Sequence, residues 1–296
     1  FGKGIARYFM VPYNNKFWTV STKKLTREWV DGFIPVPSLQ QVVEGGIGRN
    51  NNQFGYNIHF WYPKSGGISS VPSALARGVK NIRINREATG IDLKKKRIKI
   101  NSSGWEDFDT LVSTIPLPEL SGLIVDLPSH VSKALGKLRW NSILNLNLGL
   151  ASGDMGQGHW VYFPQKNISF FRVGFPHNFS SNVTPSGKSS LYAEVSYSSF
   201  RPINKDRIAG RILKDLKITG IIRQKDKICA SDLNDIKYGY PIYDAQYKLA
   251  RQTAVQYLLS KNLIPCGRYG SWRYMSMEDV ILEARDVSHY LLNKHA

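Results

Sequence analysis

The chain has 296 residues, 42% of them hydrophobic, and its 40 basic against 22 acidic side chains leave a formal net charge of +18. That is the profile of a soluble globular protein able to bury a sizeable core in two closely joined subdomains. No apolar run approaches the roughly 18 residues of a membrane span, so any membrane contact would be peripheral. The charge attracts nucleic acid, anionic membrane or phosphorylated small molecules without choosing among them. Cys229 and Cys266 lie far apart without metal-ligand spacing, which argues against a disulfide framework or zinc site and fits a reducing cytoplasm.

In chain order, residues 1–59 mix short polar and aromatic stretches and read as helices and loops on the substrate side. From Phe60 the pattern sharpens. An apolar stretch ends at Pro63, Gly66-Gly67 turns, and Ser70 with Pro72 opens a helix carrying Val71, Leu75 and Val79 on one face. Ile82 and Ile84 alternate as in a strand, followed by Ala88 to Leu93 and Arg97 to Ile100, together a small antiparallel layer. The basic run Lys94-Lys95-Lys96-Arg97 between them reads as a solvated hairpin turn. Leu111 to Pro116 is a short β-branched run closed by proline, the profile of a buried parallel strand whose carboxyl end meets a ligand.

From Leu120 to about residue 236 strand-like segments dominate, with one helix around Ile208 to Leu216, and residues 120–255 read as a mixed-sheet domain. Segment 244–260 is helical, with Tyr247, Ala250, Ala254 and Leu258 on one face. Val280, Ala284, Val287 and Leu291 recur at the same spacing in a closing helix. The class expected is α/β, with 60–119 and 256–296 forming the second domain.

The run Gly267-Arg268-Tyr269-Gly270-Ser271-Trp272-Arg273-Tyr274 concentrates glycine, arginine and aromatic residues just before that helix. Glycine admits a close ligand, arginine forks onto phosphate, and aromatic rings supply flat walls. Arg172 and Arg268, with the phenols of Tyr240 and Tyr274, form a set able to hold a diphosphate through charge-assisted hydrogen bonds. Trp160 and Tyr162 alternate on a strand and so share a face, where they could wall a sugar or nucleotide. The six histidines form no metal pair at helical spacing, and no Gly-x-Ser-x-Gly or Walker motif occurs, which argues against a metal site, hydrolase or nucleotidase.

The run Gly267 to Tyr274 resembles the C-terminal flavin-contacting segment of the UDP-galactopyranose mutases and their relatives in the FAD-dependent amine oxidase and protoporphyrinogen oxidase superfamily. The resemblance runs in order through Pro12 to Trp18, Glu28-Trp29, Tyr56-Asn57, Pro63 to Gly67, Val112 to Pro116, Trp160 to Arg172, Glu194 to Ser196 and Tyr238 to Pro241. It implies a two-domain FAD-binding fold and an anionic substrate, a UDP-sugar or envelope-polysaccharide precursor. It places Asn14, Trp18 and Asn57 with Trp160, Tyr162, Arg172, Tyr240, Arg268 and Tyr274 around the substrate. Gly66, Gly67, Thr114, Pro116, Gly267, Arg268, Met277 and Glu278 it places along the FAD.

Two departures stand out: Phe33 replaces an arginine that helps bind the diphosphate in the mutases, and Glu283 stands near a glycine that opens the last helix against FAD. The Gly-x-Gly-x-x-Gly phosphate fingerprint is also absent, since Gly2-x-Gly4 and Gly46-x-Gly48 lack the third glycine. The expectation is therefore a fragment without the first βαβ unit, inactive alone. In the mutases the flavin does the covalent chemistry and the protein orients substrate. The alternatives are an amine oxidase-like oxidase or dehydrogenase on the same scaffold, and a non-catalytic basic module for nucleic acid or lipid. The basic residues do not cluster with aromatics in a nucleic-acid-binding pattern.

Overall fold

The computed structural model describes residues 2–30, 37–49, 60–101, 103–153 and 155–295. Short helical turns lead into the helix Val11–Trp18, which Thr19 ends in a left-handed conformation. Strands β1 (Ala88–Asp92), β2 (Arg97–Ile100) and β3 (Gly104–Asp107) form an antiparallel meander. The lysine run makes the exposed turn between β1 and β2, and Arg97 lies over the Trp105 ring at 4.4 Å. Next comes β4 (Leu111–Ser113).

A five-stranded sheet follows, built from β5 (Trp140–Leu150), β6 (Trp160–Tyr162), β7 (Arg172–Gly174), β8 (Ser189–Tyr197) and β9 (Ile228–Pro241) in the order β6-β7-β8-β5-β9. Alternation along β5 sends Leu144, Leu146, Leu148 and Leu150 to one face, where Ile208, Ile212 and Leu216 of the helix Lys205–Ile218 cover them. Asn204 caps that helix by accepting from the Asp206 and Arg207 amides. The opposite face carries Asn145, Asn147, Tyr192 and Glu194.

A second core gathers β1, the helix Ser129–Leu135, Trp18, Trp272 and the helix Tyr247–Ser260, whose Tyr247, Ala250, Ala254 and Leu258 are buried as their spacing predicts. After it β10 (Leu263–Pro265) returns beside β4 in parallel. The α/β class holds. Among the described residues every strand pairing in the five-stranded sheet is antiparallel, whereas β4 and β10 pair in parallel.

Ile82 and Ile84 form no strand. Both are more than half exposed, and among the described residues no neighbouring strand supplies the ladder hydrogen bonds that an extended segment needs. The helix Ser70–Ala76 is present, but its predicted apolar face is likewise open, with Leu75 59% exposed. In the closing helix Met277–His295, Val280, Val287 and Leu291 are half-buried while Ala284 is exposed.

Lys16 fastens the first helix to the sheet. Its Nζ donates to the carbonyl oxygens of Phe163 at 2.9 Å and Gln165 at 3.0 Å, and only 4% of the residue is exposed. Burial, then the charge of Arg201, lowers its pKa to about 7 against an opposing pull from Asp215. The unfolded chain therefore holds more protons than the folded one from about pH 7 up to the ordinary lysine range, so stability rises with pH across that window. Calorimetry should show a gain of roughly 1–2 kcal/mol between pH 7 and 9, and Lys16→Met should flatten that rise; an unchanged slope in the variant would refute the assignment.

Candidate functional site

The polar face of the five-stranded sheet supplies one wall of the site. Strand register aligns Tyr162, Arg172, Glu194, Asn145 and Asn234 in a row across it. Arg172 donates from Nε to Glu194 Oε2 at 2.5 Å, and both side chains are largely buried. Burial alone would lower the guanidinium's pKa; the Glu194 charge and hydrogen bond, helped by Tyr240, outweigh it and hold the pKa well above the usual value. Nε is the only Arg172 nitrogen hydrogen-bonded among the described residues. The other face of the fork is thus left to a ligand.

One row along, Trp160 donates from Nε1 to the Tyr192 hydroxyl at 2.7 Å. Gly174 makes this possible, because a Cβ there would lie 2.2 Å from Tyr192 Cζ. Trp160 also packs on Phe60 and Phe179, and Tyr162 meets the Tyr13 ring edge-on at 5.6 Å.

The first helix closes a second wall. Phe17 contacts the rings of Phe171 at 5.1 Å and Tyr240 at 4.7 Å. Tyr13 is half-buried beside Tyr162, Tyr240 and Arg172, and its pKa is raised well above the usual phenol range, with burial the main cause and Arg172 acting against it. The third wall is the C-terminal loop. The Arg268 guanidinium carbon lies 4.7 Å from the Tyr240 ring and 4.9 Å from that of Tyr274, and those rings stack at 5.4 Å. Arg172, Tyr240, Arg268 and Tyr274 therefore gather around one aromatic cluster.

Their roles differ. Arg268 donates to the Gly239 carbonyl at 2.9 Å and the Met275 carbonyl at 3.3 Å, and its buried Nε has no partner among the described residues. It ties the end of β9 to the loop. Asn14 is 4% exposed, its amide donating to the Met10 carbonyl, and Trp18 is a core residue at 3% exposure. Asn57 and Phe33 lie outside the described residues. Sequence reasoning omitted Glu194, Asn145 and Tyr192 from the site, although the Leu-Asn alternation of β5 signals a polar face. The buried Oδ1 of Asn145 and Oγ of Ser196 lack hydrogen-bond partners among the described residues.

Of the residues expected to face FAD, Arg268 and Met277 line one pocket with the helix Ser70–Ala76, and Thr114 lies against the Gly267–Gly270 turn. Gly66 and Gly67 form a left-handed turn before the helix Ser70–Ala76. Thr114 and half-buried Pro116 follow β4. Met277 and Glu278 start the closing helix, both exposed. Gly270 packs so closely on β4 that a Cβ would meet the Ser113 carbonyl oxygen at 2.4 Å. Beside β4, an apolar hollow of about 640 Å³ is lined by Val112, Thr114, Cys266, Val287 and Leu291. The Gly267 amide, by contrast, donates to Glu283 Oε2 at 2.5 Å, and Glu283 Oε1 takes the Ser271 hydroxyl and Arg273. The described residues thus offer a flavin nucleotide apolar surface beside β4, while the Gly267 amide that could meet its diphosphate is taken by Glu283.

No protein-family model matches the sequence. Among solved structures, reduced UDP-galactopyranose mutase superposes with a TM-score of 0.85 at 25% identity, over 93% of this chain and 60% of that one. A putative protoporphyrinogen oxidase from Exiguobacterium sp. 255-15 gives 0.62 at 16% identity, over 76% of this chain and 51% of that one. A putrescine oxidase redesigned in cofactor binding gives 0.61 at 11%, over 77% and 53%. The chain thus has the fold of the amine oxidase-type superfamily read from its motifs, and spans 60% of the mutase it matches.

Two outcomes test this geometry. Glu194→Ala leaves Arg172 buried without its counter-charge and should cost roughly 3 kcal/mol in denaturant unfolding; a loss within experimental error would mean the pair is not buried as described. Gly174→Ala should displace Tyr192 and free the Trp160 indole, read as a shift in tryptophan emission.

Proposed function

We propose that this chain provides the substrate-binding face and part of the cofactor-facing surface of a flavoenzyme acting on an anionic substrate of the nucleotide-sugar class. The observation that carries the reading is the Arg172 fork, held by Glu194 on a polar sheet face and walled by Tyr13, Tyr162 and Tyr240. A planar cation pre-oriented by a carboxylate grips a phosphoryl group without first losing side-chain freedom. The phenol and amide groups beside it can hydrogen-bond sugar or phosphate oxygens. The likeness to UDP-galactopyranose mutase over 93% of the chain supports the same substrate class.

When bound, FAD would supply the covalent or electron-transfer chemistry. The hollow beside β4, with Thr114 and Val112, would hold its planar portion. The phosphate contacts would come from elsewhere in the fold, consistent with a chain that spans 60% of the mutase. The residues described here orient the substrate: Arg172 anchors the anion, while Tyr240 and Tyr274 present a stacked wall fixed by Arg268. An oxidase or dehydrogenase on the same scaffold is the second reading, supported by the likeness in fold to protoporphyrinogen and putrescine oxidases.

Arg172→Lys keeps the charge but loses the fork, and should weaken UDP binding by about tenfold or more in calorimetry. Unchanged affinity would sink the assignment of the anion anchor. In the complete flavin-loaded enzyme, sustained acceptor consumption in step with substrate would replace the mutase reading with the oxidase one.

A further inference from the structure

A second cleft opens on the other side of the same sheet. Asn141 turns toward the site, where its side chain donates to the Phe17 carbonyl and accepts the Tyr240 amide. Its neighbours Trp140 and Ser142 instead line a cleft of about 560 Å³ between the two cores, with Arg139, Tyr197, Phe200 and Lys205. That volume falls in the ordinary range of small-molecule sites.

The lining has a definite chemistry. The Arg139 guanidinium carbon lies 4.9 Å from the Phe200 ring centre, and Lys205 Nζ lies 5.0 Å from that of Tyr197. Each cation has a carboxylate close by: Asp244 is 3.6 Å from Arg139 Nε, and Asp235 is 2.5 Å from Lys205 Nζ. Neither acid belongs to the lining, which carries two cations and no anion. A guanidinium has five N–H donors and an ammonium three, so these contacts leave donors on both for a ligand. Trp140, Phe200 and Tyr197 supply aromatic surface, and Ser199 and Ile203 complete the lining beside them.

We infer that this cleft is a second binding site, for a phosphorylated planar molecule of nucleoside-monophosphate size, with the phosphate held by Arg139 and Lys205 and the ring against the aromatic side chains. Occupancy here requires neither flavin nor Arg172. Either site can therefore fail without the other.

The test is calorimetric titration of the 296-residue chain with adenosine monophosphate, adenosine and inorganic phosphate. Saturable binding of the monophosphate is expected, tighter than either part alone, and weakened about tenfold by Arg139→Gln and again by Lys205→Gln. Both side chains are about half exposed, so folding should survive the changes. Hydrogen exchange should show protection by the monophosphate at residues 138–142 and 197–205. Absence of saturable binding, equal binding of inorganic phosphate alone, full affinity in the double variant, or protection centred on Arg172 and Tyr240 would each overturn the inference.

Discussion

The packing of the helix Val11–Trp18 against the end of the antiparallel sheet holds the molecule together. Within that helix, Lys16 hydrogen-bonds the backbone after β6, Phe17 wedges between Phe171 and Tyr240, and Trp18 enters the core shared with Tyr243. Thr19 then donates to Ser198 at the end of β8. A short amphipathic segment this thoroughly tied makes the sheet and the C-terminal loop parts of one surface. Phe17, set against both Phe171 and Tyr240, joins the strand that carries Arg172 to the ring beside Arg268.

The aromatic cluster built on that helix serves two ends. Its rings exclude water, which strengthens the electrostatic hold of Glu194 on Arg172. They also fix the direction of the polar groups facing a ligand. The cost is a set of buried phenols and a buried lysine whose charge states are displaced from their usual ranges, the pattern of a surface shaped for recognition.

The two arginines singled out by residue type have separate duties for a reason of position. Arg172 lies on a strand whose neighbour offers a carboxylate in register, so it is oriented from the side and keeps its outer donors. Arg268 lies in the one-turn helix Gly267–Gly270, where nearby carbonyls need donors, and it serves the backbone. Likewise Glu283, visible in sequence only as a departure from a family pattern, answers the amide of Gly267 and the hydroxyl of Ser271.

Local pattern by itself determined the strand-rich character of residues 120–236, the helices Lys205–Ile218 and Tyr247–Ser260 and the parallel character of β4, because alternation and helical spacing are written in consecutive residues; the family of folds was legible in the motifs that recur in order along the chain. Tertiary structure alone decided that Ile82 and Ile84 stay outside any strand, since a strand exists only with a partner. It also decided that Trp18 is core, that Arg268 is a backbone clamp, and that Glu194, Asn145 and Tyr192 share the polar sheet face with Arg172. Those outcomes depend on strand register and on which distant carbonyls and carboxylates arrive beside a side chain, and neither is encoded in its neighbours along the chain.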